Sequence, residues 1–279
     1  MLRGFYTAAT GMIAQQRRTE MLTNNLANAS TPGFKADQSS LRAFPEMLIS
    51  HYGEKNVPTK NGLSLPTNNV IGQLNTGVYM QETIPTFLQG SLQETNNNTD
   101  VALVDVVVPM NEETGGNGST FFTVANNAGE MRYTRNGNFT LDQQGFLTTA
   151  AGHYVLDENG SNIQLSGDNF TVRADGSIYQ EETYVGVIGI AYAEDPNALV
   201  KEGDGLFRME GAGGALPSAY ATAGVQFGLQ QGMLEQSNVD ASRVMTDMMT
   251  AYRAFEANQK VLQAYDRSME KAVNEIGKV

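Results

Sequence analysis

Three patterns predict an α+β chain in which long N- and C-terminal helices form a coiled-coil-like module, joined through an extended β stem to a central all-β domain, a sandwich or partly open barrel. The first lies in the tail. Ala241, Met245, Met248, Tyr252, Phe255, Gln259, Leu262, Asp266, Met269, Val273 and Ile276 recur at alternating steps of four and three. That is the a/d spacing of a heptad, and such a stripe is buried only against a partner helix. The second is a thinner seven-residue recurrence of Phe5, Met12, Thr19 and Leu26 near the N-terminus. The third is a change of period to two from Gly77 onward, with turn residues every ~8–10 positions.

Residues 1–33 read as the N-terminal helix and its closing turn. Leu2, Ala8, Ala9, Ile13 and Leu22 flank the seven-residue line, and Phe5, Met12, Leu22 and Leu26 are candidate packing residues. Small Ala and Thr side chains let another helix come close. Asn24, Asn25 and Asn28 weaken the helix, and Thr31-Pro32-Gly33 stops it. Residues 34–76 show no sustained period and carry Gly53, Pro58, Gly62 and Pro66, so they read as a long extended loop.

Residues 77–230 read as a mainly β domain with stem strands at its ends. Val78 to Ile84 and Asp100 to Val108 are strand candidates; the latter is the most aggregation-prone window of the chain and is expected to be central and covered. From Phe121 onward short strands alternate with turns at Asn126-Asn127, Asn136-Gly137, Asp142 to Gly145, Ala151-Gly152, Asp157 to Gly160 and Asp175-Gly176. The segment beginning Gln89-Gly90-Ser91-Leu92 is echoed by Gln231-Gly232-Met233-Leu234, both following Q-G-x-L-x-x-[ST]-N. Two such segments at the entrance and exit of the β region are expected to pair side by side as the stem.

Residues 231–279 read as the stem exit and the C-terminal heptad helix. Asn238 or Asp240 supplies its N-cap, no Gly or Pro interrupts it, and Gly277 marks its end. Met245, Met248, Tyr252, Phe255, Leu262, Met269, Val273 and Ile276 are its candidate packing residues.

Charge separates the ends from the middle. The formal charge of −12 argues against nucleic acid and anionic membrane surfaces as partners. Residues 238–279 hold six acids and six bases, and residues 1–30 hold three arginines against one glutamate, so the excess of acid lies between them. Cysteine is absent, which excludes disulfides and thiolate metal sites. The N-terminus has no apolar core of a Sec signal peptide.

The residues of known chemistry do not assemble into an active site. Asp142, Asp157, Asp168 and Asp175 stand at turn positions, where a carboxylate binds its own backbone. Asp157-Glu158-Asn159-Gly160 lacks the ligand ladder of a calcium loop. Two histidines suggest no Ser–His–Asp arrangement, and no phosphate- or dinucleotide-binding glycine motif occurs. No catalytic, cofactor-binding or metal-binding residue is therefore expected, and no small-molecule substrate.

Four segments in series carry a family resemblance. The first contains Ala27, Asn28, Thr31, Pro32, Gly33 and Phe34, followed by Lys35; the second contains Gln89, Gly90 and Leu92 and runs into Asp100-Val101-Ala102; the third runs from Phe121 through Arg132-Tyr133-Thr134-Arg135-Asn136-Gly137; the fourth contains Gln231, Gly232, Leu234 and Asn238 and ends in Ala251-Tyr252-Arg253-Ala254-Phe255. In this order they resemble the bacterial flagellar rod and hook axial proteins, rod proteins of the distal type above all. Residues 103–119 depart from the family pattern by an inserted strand and Gly-rich loop. The resemblance implies a structural subunit without enzymatic activity or cofactor, polymerising helically through its terminal helices to carry torque from motor to hook. It implies contacts with itself and with neighbouring rod and hook proteins, export through the flagellar type III apparatus, and residence in the basal body. The rival readings are a hook subunit, and a β-domain binding or enzymatic module with a coiled-coil oligomerisation tail.

Overall fold

The computed structural model describes residues 2–57, 63–111, 116–209 and 214–276; Gly277, the expected helix stop, lies outside them. The chain is mixed α+β, with one helix near each end and a β-rich middle. It divides into two compact units: residues 1–24, 38–83 and 242–279 form the first, and residues 25–37 and 84–241 the second.

The first unit holds most of helix α1 (Leu2–Ala27) and of helix α2 (Ala241–Lys271). They touch and run antiparallel. Gly4 is faced by the Tyr265 ring and Gly11 by the Asn258 amide, and the Thr23 hydroxyl donates to the Met248 sulfur at 3.8 Å. The α2 residues turned inward include a line of Val244, Met248, Ala251, Phe255, Asn258, Leu262, Tyr265 and Met269, again at steps of four and three. This line keeps Met248, Phe255, Leu262 and Met269 of the predicted stripe. Met245, Tyr252, Gln259, Asp266 and Val273 give way to the residue immediately before each: Met245, Tyr252 and Val273 are exposed by 53%, 63% and 71%, and Gln259 and Asp266 are also exposed, as is Ala241 at the helix start, while the side chain of Ile276 lies outside the described residues. The reason is steric. Ala251 is almost fully buried, as are Ala8 and Ala14 on α1, and such small residues let the helix backbones approach where Tyr252 would hold them apart. On α1 only Leu22 of the predicted packing residues is fully buried; Phe5, Met12 and Leu26 are half-buried. A short π turn, Ala272–Ile276, follows α2.

The segment expected as a loop is instead paired. Asp37–Ala43 forms a two-stranded sheet with Val78–Pro85, and Met47–Val57 pairs antiparallel with Leu63–Leu74 from Met47↔Leu74 to Val57↔Leu63. Both faces of this ribbon meet solvent: Leu48, Tyr52, Val70 and Ile71 are all well exposed. A strand pair held mainly by its backbone ladder needs no alternation of apolar and polar residues, which is why its sequence shows no period of two.

The second unit is centred on Ser119–Ala125, every residue of which is buried. One edge of this strand pairs with Met131–Thr134. The other is shared by Tyr154–Val155 and Ile190–Ala193. Further strands extend this to an eight-stranded sheet ending at Leu199–Lys201 on one side and Phe139–Leu141 on the other. A separate three-stranded sheet, from Thr171–Val172 to Thr183–Val187, contributes Val172 and Ile178 to a core that also contains Phe122, Val124, Phe139 and Ile190. Val101–Val107 is not central in this sheet. Among the described residues its partner strand is Gln226–Gln231, and its burial fades from Val101 to an exposed Val106 and Val107. The turn aspartates behave as their positions predict: Asp142, Asp157 and Asp175 accept from the backbone N–H two residues on, and Asp142 and Asp157 also from the one four residues on.

Candidate functional site: a buried ionic clamp

The predicted motif segments meet in the second unit around four charged side chains. Helix α1 ends in a turn closed by hydrogen bonds from Asn28 N–H to Asn25 O and from Thr31 N–H to Asn28 O. Gly33 follows with φ +69°, a conformation that favours glycine, and its N–H donates to the Glu235 carbonyl at 2.8 Å. A Cβ at this position would collide with the backbone of Arg135 and Asn136. The Thr-Pro-Gly turn therefore serves close docking as well as ending a helix.

This docking buries Lys35, whose Nζ donates to Glu235 Oε1 at 2.7 Å and to the Leu88 carbonyl at 2.8 Å. Glu235 closes the strand Met233–Glu235. Its Oε1 also accepts from Gly90 N–H at 2.8 Å, and its Oε2 accepts from Arg135 Nε at 2.9 Å. Arg135 follows the strand Met131–Thr134. Its remaining donors reach both Asp105 oxygens, the Thr120 carbonyl and the Leu103 carbonyl. The Lys35, Arg135 and Glu235 side chains are each no more than 2% exposed. Two cations thus balance two anions, and each ion pair includes a charge-assisted hydrogen bond of 2.7–2.9 Å.

Burial disfavours the charged form of Glu235, but Arg135 and Lys35 outweigh it and hold its carboxyl below the usual range. Burial, and then the like charge of Arg135, lower the Lys35 ammonium from its ordinary value, against the pull of Glu235. Arg135 is opposed by burial and raised by Asp105 and Glu235. Because the folded carboxyl is depressed relative to the unfolded one, its stabilisation is complete above the unfolded carboxylate pKa of ~4.3 and is lost as pH falls through the folded value. Urea unfolding of the β unit is accordingly expected to show a flat stability between neutral pH and about 5, then a loss on further acidification that Glu235→Gln makes smaller.

Asn238 completes the arrangement. Its Oδ1 accepts from Ala36 N–H at 2.7 Å and its Nδ2 donates to the Thr86 and Leu88 carbonyls, so its side chain ties the incoming segment instead of capping α2. The two echo segments pair antiparallel, Leu92↔Glu235 to Glu94↔Met233. Gln89 reaches the Leu103 carbonyl, and Gly90 lies so close to Gln236 O that a Cβ would not fit. Gly232, at φ +75°, accepts from Thr95 and Asn96 N–H, and Leu234 is buried. Gln231 serves elsewhere: it donates to the Asn98 and Phe170 carbonyls and accepts from Val172 N–H. Ala27 and Leu92 are exposed, and Thr31, Pro32 and Phe34 are half-buried. The charged quartet itself was not among the predicted site residues. The available signal was a charged residue within or beside three of the four motif segments, Lys35, Arg135 and Glu235, not set apart in the sequence from charged neighbours such as Arg132 and Asp240.

Comparisons with known proteins agree on one family. Residues 5–35 match the model described as Flagella basal body rod protein, residues 117–180 the Flagellar hook protein FlgE/F/G D1 domain, and residues 230–275 the Flagellar basal body rod FlgEFG protein C-terminal. The chain is 47% identical over 279 residues to the flagellar hook-basal body complex protein FlhO of Bacillus subtilis, covering 100% of both chains. It is 31% identical to the flagellar basal-body rod protein FlgF of Caulobacter vibrioides, again over 100% of both. To the flagellar basal-body rod protein FlgG of Borreliella burgdorferi it is 30% identical, over 96% of this chain and 97% of the other. The matched terminal regions contain Gly33, Lys35, Glu235 and Asn238, and the central match contains Arg135.

Proposed function

Because this chain belongs to the family of flagellar basal-body rod proteins, we propose that it polymerises helically, through the faces of α1 and α2 left free in the single chain, and transmits torque along the rod. It is a structural protein of the flagellar basal body, and the rod reading stands above the hook and the tailed β-domain alternatives. The partners we assign are further copies of itself, the adjacent rod and hook proteins, and the flagellar type III export apparatus; no catalysis, cofactor, nucleic acid or small-molecule substrate enters. No described helix is long and apolar enough to cross a membrane. FlgF- and FlgG-named relatives differ by one point of identity, 31% against 30%, so the distal-rod subtype rests on the motif resemblance alone.

The observation that carries polymerisation is the second apolar row of α2. Met245, Met249 and Tyr252 lie at steps of four and three and are 53%, 58% and 63% exposed, while the small-residue seam faces α1. A 31-residue helix apolar on two sides has one side to offer a neighbour. We read the α1–α2 pair as the coiled-coil-like module, with the heptad phase set by Ala251 in place of Tyr252. The core shared by Val172 and Ile178 with Phe122 and Val124 supports the sandwich form of the β unit over the barrel. Predicted packing residues Met245, Tyr252 and Val273 then act between subunits, and Met248, Phe255, Leu262 and Met269 within one.

The test is the double substitution Met245→Glu with Tyr252→Glu. As both side chains are exposed, the unfolding free energy of the purified protein is expected to change by only about 0.5 kcal/mol. Incorporation into basal bodies and swimming are expected to be lost. A labelled wild-type subunit is expected in the rod of isolated basal bodies and not in the hook. Normal swimming by the doubly substituted strain would overturn the assignment of this row to assembly.

A further inference from the structure

We infer that Lys201, which no motif or family match includes, is a positioning residue: a clasp on the sheet edge that fixes the path of residues 34–37 as the chain leaves α1. The inference rests on the rod reading for its consequence in assembly, and on geometry alone for the clasp.

Lys201 ends the edge strand Leu199–Lys201 and stands opposite Phe207, which is buried against Phe87 and Phe121. The strand beneath it is therefore anchored in the core, and its ammonium has a fixed origin. From there Nζ donates to the Lys35 carbonyl at 2.9 Å and to Asp37 Oδ1 at 2.9 Å, and it lies 4.2 Å from the centre of the Phe34 ring. One cation thus holds a ring, a carbonyl and a carboxylate from three of four consecutive residues. Each interaction alone is modest at a site where the Lys201 side chain keeps 26% of its exposure. Together they act on a segment whose other ties lie elsewhere: Gly33 to the Glu235 carbonyl, Ala36 to Asn238 and Thr86, and Asp37 to the Asn25 side chain through both its N–H and its carbonyl.

The clamp around Glu235 seizes this segment from the strand Met233–Glu235, near the chain's exit. Lys201 holds it from an independent strand. Residues 34–37 are consequently fixed from two sides of the β unit. Lysine suits the role through its three donors on a compact head. Arginine keeps the charge and the reach, whereas methionine keeps the stem and loses both hydrogen bonds and the cation.

Hydrogen exchange on the purified full-length protein and incorporation into basal bodies test the proposal with Lys201→Met and Lys201→Arg. The methionine variant is expected to exchange the Ala36 and Asp37 amides about tenfold faster, with the amides of Ser119–Ala125 unchanged, because local opening is freed and global unfolding is not. It is also expected to enter the rod poorly, and arginine is expected to restore both properties. Unchanged exchange at Ala36 and Asp37 in the methionine variant would overturn the clasp, whatever the protein assembles into. Faster exchange with wild-type incorporation would overturn its part in assembly, as would failure of arginine to rescue. The exchange result is read on the isolated chain, so it stands apart from any failure of the rod reading itself.

Discussion

Glu235→Gln is expected to destabilise the β unit by about 3–5 kcal/mol, the cost of leaving buried charge without its partner. Lys35 and Arg135 both depend on this carboxylate, and neither can reach water: their side chains are 2% and 1% exposed. Glutamine fits the space and retains one acceptor, so the effect isolates charge from volume. Urea unfolding monitored in the β unit measures it. Lys35→Met combined with Glu235→Met is expected to recover much of the loss, because Arg135 then keeps Asp105 as its counter-ion and no unpaired charge remains. A double variant no more stable than Glu235→Gln would show that hydrogen bonds to Leu88 and Gly90, and not charge balance, govern the cluster.

The position of the clamp explains why the motif segments travel together in the chain. Gly33 and Lys35 come from the turn after α1, Gly90 from the entrance to the β region, Arg135 from the central sheet, and Glu235 and Asn238 from the exit. Incoming and outgoing chain are cross-tied by main-chain and ionic bonds at one place. Under the proposed assembly through the terminal helices, such a junction would keep the connecting segments from unravelling under load. The buried charges supply specificity of geometry there, since a cation of fixed reach accepts only one arrangement of its partners.

Much of this was legible in one dimension, and the exceptions share a cause. The turn aspartates, the stop after α1 and the pairing of the two echo segments follow from local chemistry, and the structure places them accordingly. The ribbon Met47–Val57 with Leu63–Leu74 did not show, because Tyr52 and Val70 face solvent and no buried face imposes alternation. Lys35, Arg135 and Glu235 did not show because a charged residue in a pattern reads as an exposed one; only the three-dimensional meeting of opposite charges makes their burial tolerable. The aggregation-prone strand Val101–Val107 was expected at the centre of a sheet, but its partner Gln226–Gln231 is a single strand, and only its first half enters the core.

The stripe expected on α2 and the line that faces α1 share Met248, Phe255, Leu262 and Met269 and differ at Met245 and Tyr252, and that difference leads to the second large effect. A helix with apolar residues on two neighbouring lines satisfies two heptad frames. Hydropathy favours the frame with Met245 and Tyr252, while close approach favours the one with Val244 and Ala251. Replacing Ala251 with Phe is therefore expected to separate α1 from α2. The residue is 1% exposed and has no room to turn outward, and overfilling of this kind costs about 1–3 kcal/mol. Helical circular dichroism and exchange of the α1 amides are expected to report loosening of α1, with the amides of Ser119–Ala125 in the β unit protected as before. Swimming is expected to fail although the exposed row of Met245, Met249 and Tyr252 is chemically intact, because a row on a helix that has lost its partner no longer presents a defined surface. Glu in place of Met245 and Tyr252 destroys that row and leaves the seam whole, so the two sets of variants fail by separate routes: one loosens the free chain, the other only its assembly. An Ala251→Phe protein with α1 fully protected from exchange would show that the seam tolerates the larger side chain, and that the small residues do not select the frame.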